Sequence, residues 1–392
     1  MRRSGIAFVF LLAMTCAGGA VQARETPGAG RGESGPRLDD LQRGLAAYRE
    51  GRFAAALRLF APMADAGDVK AQFYLSQMYE EGHGVPRDAE TAARWARRSA
   101  ERGLAKAQNS LGKYYERGRG VPEDPAAAAH WYRRAAEQGD ADAQASLGRM
   151  FRSGRGVQRD EAQAARWFRA AAEQGLARAQ VMLGMMYSGG AGVPQDHQAA
   201  AEWYRRAAAG DDPRGQWMFG LIHREGKGVP RDDSEALLWF RLAAAKGFPN
   251  AQYSLGGMYR RGEALARDPA EAARLYRLAA EQGHGPAQFA LGTMYHEGDG
   301  VARDTREAFR WYRRAALGGV GDAQFVLGLV YALAQGVERD LVSAHAWMRV
   351  AARNGHGVAQ GKMDLLASGM TAEQLAAAAV MADRLEAAVA SE

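Results

Sequence analysis

The chain has 392 residues, a formal net charge of +6 and one cysteine. A single thiol excludes a disulfide framework, and the charge is mild for this length. Length alone would suggest two or three domains, a prior that fails if the chain is a repeat array, whose length scales with copy number.

Taken from the N-terminus, Arg2 and Arg3 precede an apolar run from Ile6 to Cys16 and a small-residue exit, "GGAVQA", ending at Ala23. That is the layout of a signal peptide over residues 1–23. The run is too short to cross a bilayer, which takes about 20 residues, so the expected product is not membrane-spanning and is periplasmic or secreted. Cys16 would leave with the leader, and "AMTC" lacks the Leu and the small residue of a lipoprotein site. The sequence pI of about 9.4 raises nucleic acid as a partner, and export argues against it. Residues 24–37, "RETPGAGRGESGPR", are rich in Gly, Pro and charge and read as a disordered tether.

Residues 38–67 contain "GLAAYREGRFAAALRLFAPMADAG", two apolar-periodic runs with a short connection. From residue 71 the pair Ala-Gln returns every 36 residues: at 71, 107, 143 and 179, as Gly215-Gln216, then at 251, 287, 323 and 359. Trp95, Trp131, Trp167, Trp203, Trp239, Trp311 and Trp347 keep the same spacing, with Leu275 as the one substitute, and so does an Asp ladder from Asp88 to Asp340. Asp before an Ala-rich run, twice followed by Pro, is a helix start. It opens a helix B that carries Ala128, Trp131, Ala135 and Ala136 on one face, with the Trp ring expected in the core, and that ends near Gly139. A helix A then places Ala143, Leu147 and Phe151 four residues apart. Gly148 and its equivalents sit mid-helix at a cost of about 1 kcal/mol, which implies a close approach there.

The pattern AQxxLGxxYxxGxGVxxDxxxAxxWYxxAAxxG is similar to the Sel-one-like repeats, a branch of the tetratricopeptide superfamily, over about residues 69–367. The resemblance implies an all-α fold: an α-solenoid, a right-handed superhelix of about nine stacked antiparallel helix pairs with helix A lining the concave side. A tetratricopeptide-like first pair (38–67) would precede the array (68–367), and "MTAEQLAAAAVMADRLEAA", from Met370, would form a capping helix within 368–392. Ala264 and Ala334 at Gly positions, with Leu275 in place of Trp, predict looser packing around residues 260–280.

Ser110 and Lys113 fit S-x-x-K, the pattern in which Lys helps deprotonate a nucleophilic Ser, yet the Ser position varies among copies and no S-D-N or K-T-G follows. The eight histidines show no helical pairing that would hold a metal. No cofactor, metal site or catalytic group is expected. Arg133, Arg169, Arg205, Arg241, Arg277 and Arg313 share one position of helix B and would form a strip for polyanions, or pair with Glu four residues on. The positions that the repeat leaves free on helix A predict a groove that is polar at its N-terminal end and apolar from about the fourth repeat. Its contact residues would be Met182, Met185, Trp217, Leu221, Arg224, Tyr253, Phe289, Phe325 and Leu329, although the aromatics Phe73, Tyr253, Phe289 and Phe325 could equally pack between repeats. The expected function is a non-enzymatic protein–protein interaction scaffold or adaptor of the bacterial envelope, with a protein or peptide in the groove. An anionic envelope polymer is the second class of partner, and weak β-lactam or cell-wall hydrolysis through Ser110 and Lys113 the last.

Overall fold

A computed structural model describes residues 38–391. The leader, the tether and Cys16 lie outside the described residues. In chain order the helices are α1 (Leu38–Arg49), α2 (Phe53–Asp65), α3 (Val69–Glu81), α4 (Ala89–Glu101), α5 (Ala105–Arg117), α6 (Pro125–Glu137), α7 (Ala141–Ser153), α8 (Glu161–Glu173), α9 (Ala177–Gly189) and α10 (His197–Ala209). They continue as α11 (Pro213–Glu225), α12 (Asp233–Ala245), α13 (Pro249–Arg261), α14 (Pro269–Glu281), α15 (Gly285–Glu297), α16 (Thr305–Leu317), α17 (Gly321–Ala332), α18 (Leu341–Arg353), α19 (Ala359–Ala367) and α20 (Ala372–Ser391). From α1 to α19 each helix packs on the next, so the array is an all-α solenoid of paired helices.

The caps explain where the helices begin. Every B helix starts behind the Asp ladder, as where Asp124 Oδ1 accepts the Ala127 N–H at 2.9 Å. Helix A alternates instead: Asp68, Asp140, Asp212 and His284 cap α3, α7, α11 and α15 through their side chains, whereas Leu104, Leu176, Phe248 and Val320 give α5, α9, α13 and α17 no side-chain cap. A two-repeat rhythm therefore runs inside the 36-residue period.

The core corrects the expected role of tryptophan. The fully buried ring of helix B is the residue after the Trp: Tyr132, Phe168, Tyr204 and Phe240 are at most 2% exposed, whereas Trp131, Trp167, Trp203 and Trp239 are only half-buried. One residue is 100° of helix, enough to turn the Tyr or Phe toward helix A and leave the Trp at the edge of the face. From there Trp131 packs back against the preceding repeat's cluster of Ala92, Ala96 and Leu111. Its outer side is covered by the Arg134 guanidinium, 5.1 Å from the ring centre.

The mid-helix glycines do mark a close approach, and what approaches is this ring. Gly112, Gly148, Gly184, Gly220, Gly256 and Gly292 each lie against the buried aromatic of their own helix B. The first array repeat makes the opposite exchange, with Ser76 at the Gly position and Ala96 at the ring position, both buried.

Packing near residue 275 is not looser. Leu275 and Tyr276 are buried, and Ala264 and Ala334 hold the left-handed backbone of the glycines they replace, at φ 58° each. At the C-terminal end α20 lies on the outer side of α18 and reaches α16. Ala378, Met381, Ala382 and Leu385, one stripe of α20, close over Ala346 and Val350. Among the described residues no helix is long and apolar enough to cross a membrane.

Candidate functional site

The repeated Gln, whose role the sequence did not reveal, fixes one pair on the next. Gln144 is buried, its Nε2 donates to the Ala136 carbonyl at the end of α6 (3.1 Å), and its Oε1 accepts from Gln174 Nε2 at 2.8 Å. Gln72, Gln108, Gln180, Gln288 and Gln324 make the same bond to a carbonyl eight residues back. This lattice holds successive A helices in one register and lets their inward side chains form a continuous surface.

On that surface a concavity of about 600 Å³ runs across five successive A helices, from Gln77 and Glu80 on α3 through Ser110, Lys113 and Arg117 on α5 and Arg149 and Arg152 on α7, to Met182 on α9 and Arg214 on α11. At its floor Glu116 accepts a 2.7 Å hydrogen bond from the Tyr132 hydroxyl and pairs with Arg149 at 2.9 Å. Burial alone would raise the Glu116 pKa, but the Tyr132 hydroxyl and Arg149 reverse that and hold it below the ordinary carboxylate value. Burial, with Glu116 beside it, pushes the Tyr132 hydroxyl up. Glu80 is likewise engaged, accepting from the Tyr114 hydroxyl at 2.8 Å and pairing with Arg119 at 3.2 Å. Lys113, Arg117, Arg152 and Arg214 also line the concavity, and among the described residues none of the four has an ion-pair partner. The pocket is therefore cationic: seven Lys and Arg line it against three Glu, of which Glu80 and Glu116 are held by internal bonds.

Ser110 and Lys113 both line this pocket, and no hydrogen bond joins them. Among the described residues no group of three or more His, Cys, Asp or Glu is placed to hold a metal ion.

The residues expected in the groove divide. Met182 lines the concavity, with Arg152 Nη1 3.9 Å from its sulfur, and Met185 is 44% exposed. The others pack mainly against their own neighbours. Trp217 donates from Nε1 to Ser254 Oγ at 3.0 Å and meets Phe248 edge-on. Leu221 packs against the Phe240 and Leu255 cluster, and the Arg224 guanidinium lies 5.7 Å from the Phe240 ring centre. Tyr253 lies against Tyr276 and His284, Phe289 against Tyr312, and Phe325 stacks on His356 at 4.3 Å. Phe73 is buried and Leu329 half-buried. Tyr253, Phe289 and Phe325 thus meet rings of their own repeats.

For that reason the groove does not become apolar along its C-terminal half. Tyr253 and Phe289 share a second concavity with Arg260, Arg261, Arg267, Glu297 and Asp299, and Arg260 bridges Glu297 at 2.7 Å and Asp299 at 3.0 Å.

The Arg ladder has an internal partner other than the Glu four residues on. Arg169 donates to the Tyr187 hydroxyl of the next helix A at 2.5 Å, Arg241 to Tyr259 at 3.3 Å, and Arg277 to Tyr295. Arg133 lies 5.8 Å from the Phe151 ring centre, and Arg205 pairs with Glu202 at 2.8 Å. Among the described residues Arg313 is in no ion pair, and its charge acts on the Tyr331 hydroxyl.

The Sel1 repeat profile matches eight consecutive segments, 69–104, 105–140, 141–176, 177–212, 213–248, 249–284, 285–320 and 321–356. The chain belongs to the Sel1 repeat family. Among solved structures the Sel1 array is similar to a Sel1 repeat protein from Oxalobacter formigenes, at 34% identity and a TM-score of 0.63, over 88% of this chain and 98% of that one. It is also similar to a protective antigen of uropathogenic Escherichia coli strains that displays an SLR fold, at 30% identity and a TM-score of 0.50, over 88% and 91% of the two chains. No curated protein matches it significantly. Sel1-repeat proteins generally work as protein-interaction scaffolds.

Proposed function

We propose that this Sel1 array is a non-enzymatic adaptor of the bacterial envelope that holds an acidic segment of a partner protein in its N-terminal concavity. The observation that carries the reading is the set of four cations, Lys113, Arg117, Arg152 and Arg214, which line one concave surface and, among the described residues, are in no ion pair. Arranging uncompensated positive charge in a concavity raises the local concentration of an anionic ligand and speeds its arrival. Tyr132 and Arg149, fixed through Glu116, supply a rigid floor. Met182 offers an adaptable apolar contact at the far end.

The envelope setting rests on the leader-like segment that ends at Ala23. The rival polymer reading draws less support, because several Arg of the outer ladder are held by Tyr187, Tyr259 and Tyr295.

The test is the fluorescence anisotropy of a labelled decaglutamate peptide with the full chain. Binding is expected to weaken steeply between 50 and 500 mM salt and at least tenfold in Arg152→Glu plus Arg214→Glu. An affinity indifferent to both would remove the acidic-segment reading. Displacement of the peptide by a polyuronate at equal charge concentration would transfer the site to a polymer.

A further inference from the structure

The outer face of the B helices carries a second pattern, independent of the concavity. Three residues after each Trp, or after Leu275 in its place, stands Arg98, Arg134, Ala170, Arg206, Leu242, Leu278, Arg314 or Val350. Where it is Arg beside a Trp, the guanidinium covers the indole, at 4.6 to 5.1 Å from the ring centre. One residue before the Trp the array again prefers charge or polarity, with Arg94, His130, Arg166, Glu202, Arg274 and Arg310. Two B helices are apolar at both places: α18, with Ala346, Trp347 and Val350, and α12, with Leu238, Trp239 and Leu242.

Helix α18 shows what such a face is for. All three of its residues are at most 2% exposed: α20 covers Ala346 and Val350 with Ala378, Met381, Ala382 and Leu385, and Leu385 also closes on the cluster that buries Trp347. On α12 the same three places are uncovered: Leu238 is 49% and Leu242 41% exposed, and Trp239 is half-buried. The next rung extends the patch, since Leu278, 36 residues after Leu242, is 37% exposed. Three of the eight exposed large hydrophobic side chains among the described residues thus fall on one face, in the register where this chain already docks a helix.

We propose that the outer face of α12 and α14 is a docking site for an amphipathic helix of a partner protein, one with a small aliphatic stripe at i, i+3, i+4 and i+7 like that of α20. The partner's helix lies on Leu238, Trp239 and Leu242 as α20 lies on Ala346, Trp347 and Val350, and Leu278 meets its flank. Helix-in-groove recognition of this kind needs an apolar strip and a stripe to match, and no catalytic chemistry. The concavity stays free, so the adaptor would hold two partners at once, on opposite sides of the coil.

The probe is a labelled peptide of residues 372–391, added to the full chain. The variant is Leu238→Arg plus Leu242→Arg, which restores on α12 the Arg-Trp-Arg arrangement that α4 and α16 already carry, so it folds by the array's own rule. The peptide is expected to bind the unaltered chain saturably, at least tenfold more weakly to this variant, and unchanged to Leu333→Arg, whose exposed side chain lies in the loop after α17. Absence of saturable binding, or equal affinity for chain and variant, would overturn the proposal. So would sedimentation showing that the unaltered chain dimerises and the variant does not, because the face would then belong to a second copy.

Discussion

A Cβ placed on Gly112 would stand 2.7 Å from the ring of Tyr132. Real Cβ atoms essentially never come that close to a ring carbon, and Tyr132 is fully buried, with its hydroxyl held by Glu116, so the ring cannot step aside. In isolation Ala is the better helix former by about 1 kcal/mol. Here overpacking opposes it, at about 1 to 3 kcal/mol. Gly112→Ala is expected to lower stability in a urea melt, whereas Gly189→Ala, where nothing lies within 4 Å of the added methyl, is expected to raise it. A gain in both would show that the ring has room to move.

Gln144 joins three helices through one amide. Gln144→Leu keeps the volume but leaves the Ala136 carbonyl and the Gln174 amide without this partner. The Ala136 carbonyl keeps the Gly139 N–H at 3.0 Å and Gln174 is exposed, so what is lost is two hydrogen bonds, at about 0.5 to 1.5 kcal/mol each. The substitution is expected to destabilise by about 1 to 3 kcal/mol, and amide exchange should quicken at the α6–α7 junction before it does elsewhere. Loss of protection spread evenly along the array would show that Gln144 is not a local clamp.

The period, the caps and the paired helices were legible because each arises from contacts within a few residues: an Asp meets an N–H three residues on, and a Gly ends a turn. The burial of Tyr132 in place of Trp131 was not legible, since both are large aromatic rings and only the relative rotation of two helices decides between them. Nor was the Gln lattice, whose acceptor lies eight residues back on another helix. The cationic concavity escaped a reading by ladders for a related reason. Lys113 and Arg152 stand at free positions of helix A that the sequence marked as variable, but Arg117 and Arg214 stand at other positions of the repeat, and four repeats must stack before they share a surface.

His284 should make the array acid-sensitive at α15. It stands where Asp68, Asp140 and Asp212 cap the alternate A helices, and its Nδ1 accepts the Ala287 N–H at 3.1 Å, which only the neutral ring can do. Burial holds its pKa below the usual value near 6.5. The unfolded chain therefore takes up the proton first as pH falls. The cap's contribution is complete above about pH 6.5 and declines from there toward the folded-state value. Burial depresses His345 in the same direction, so it adds to the same slope. His284→Asp stays ionised across this window and is expected to narrow the loss of stability between pH 7.5 and pH 5, measured as the shift in urea midpoint. An unchanged shift would assign the slope to His345 or to other groups.

Tyr204 and Trp203 test the assignment of the core ring most directly. Tyr204 is 1% exposed and Trp203 half-buried, so Tyr204→Ala is expected to cost about 3 to 5 kcal/mol, and Trp203→Ala less, about 2 kcal/mol, because part of the indole remains in water. The hydroxyls separate the two tyrosines further. Tyr132 donates to Glu116, whereas the Tyr204 hydroxyl is buried without a hydrogen-bond partner. The array places Phe168 and Phe240 at this same position. Tyr132→Phe should therefore destabilise by about 1 kcal/mol, and Tyr204→Phe should be neutral or stabilising by a similar amount. Equal losses from the two Phe substitutions would mean that the Tyr204 hydroxyl is paired, and a costlier Trp203→Ala than Tyr204→Ala would return the central place in the core to the tryptophan.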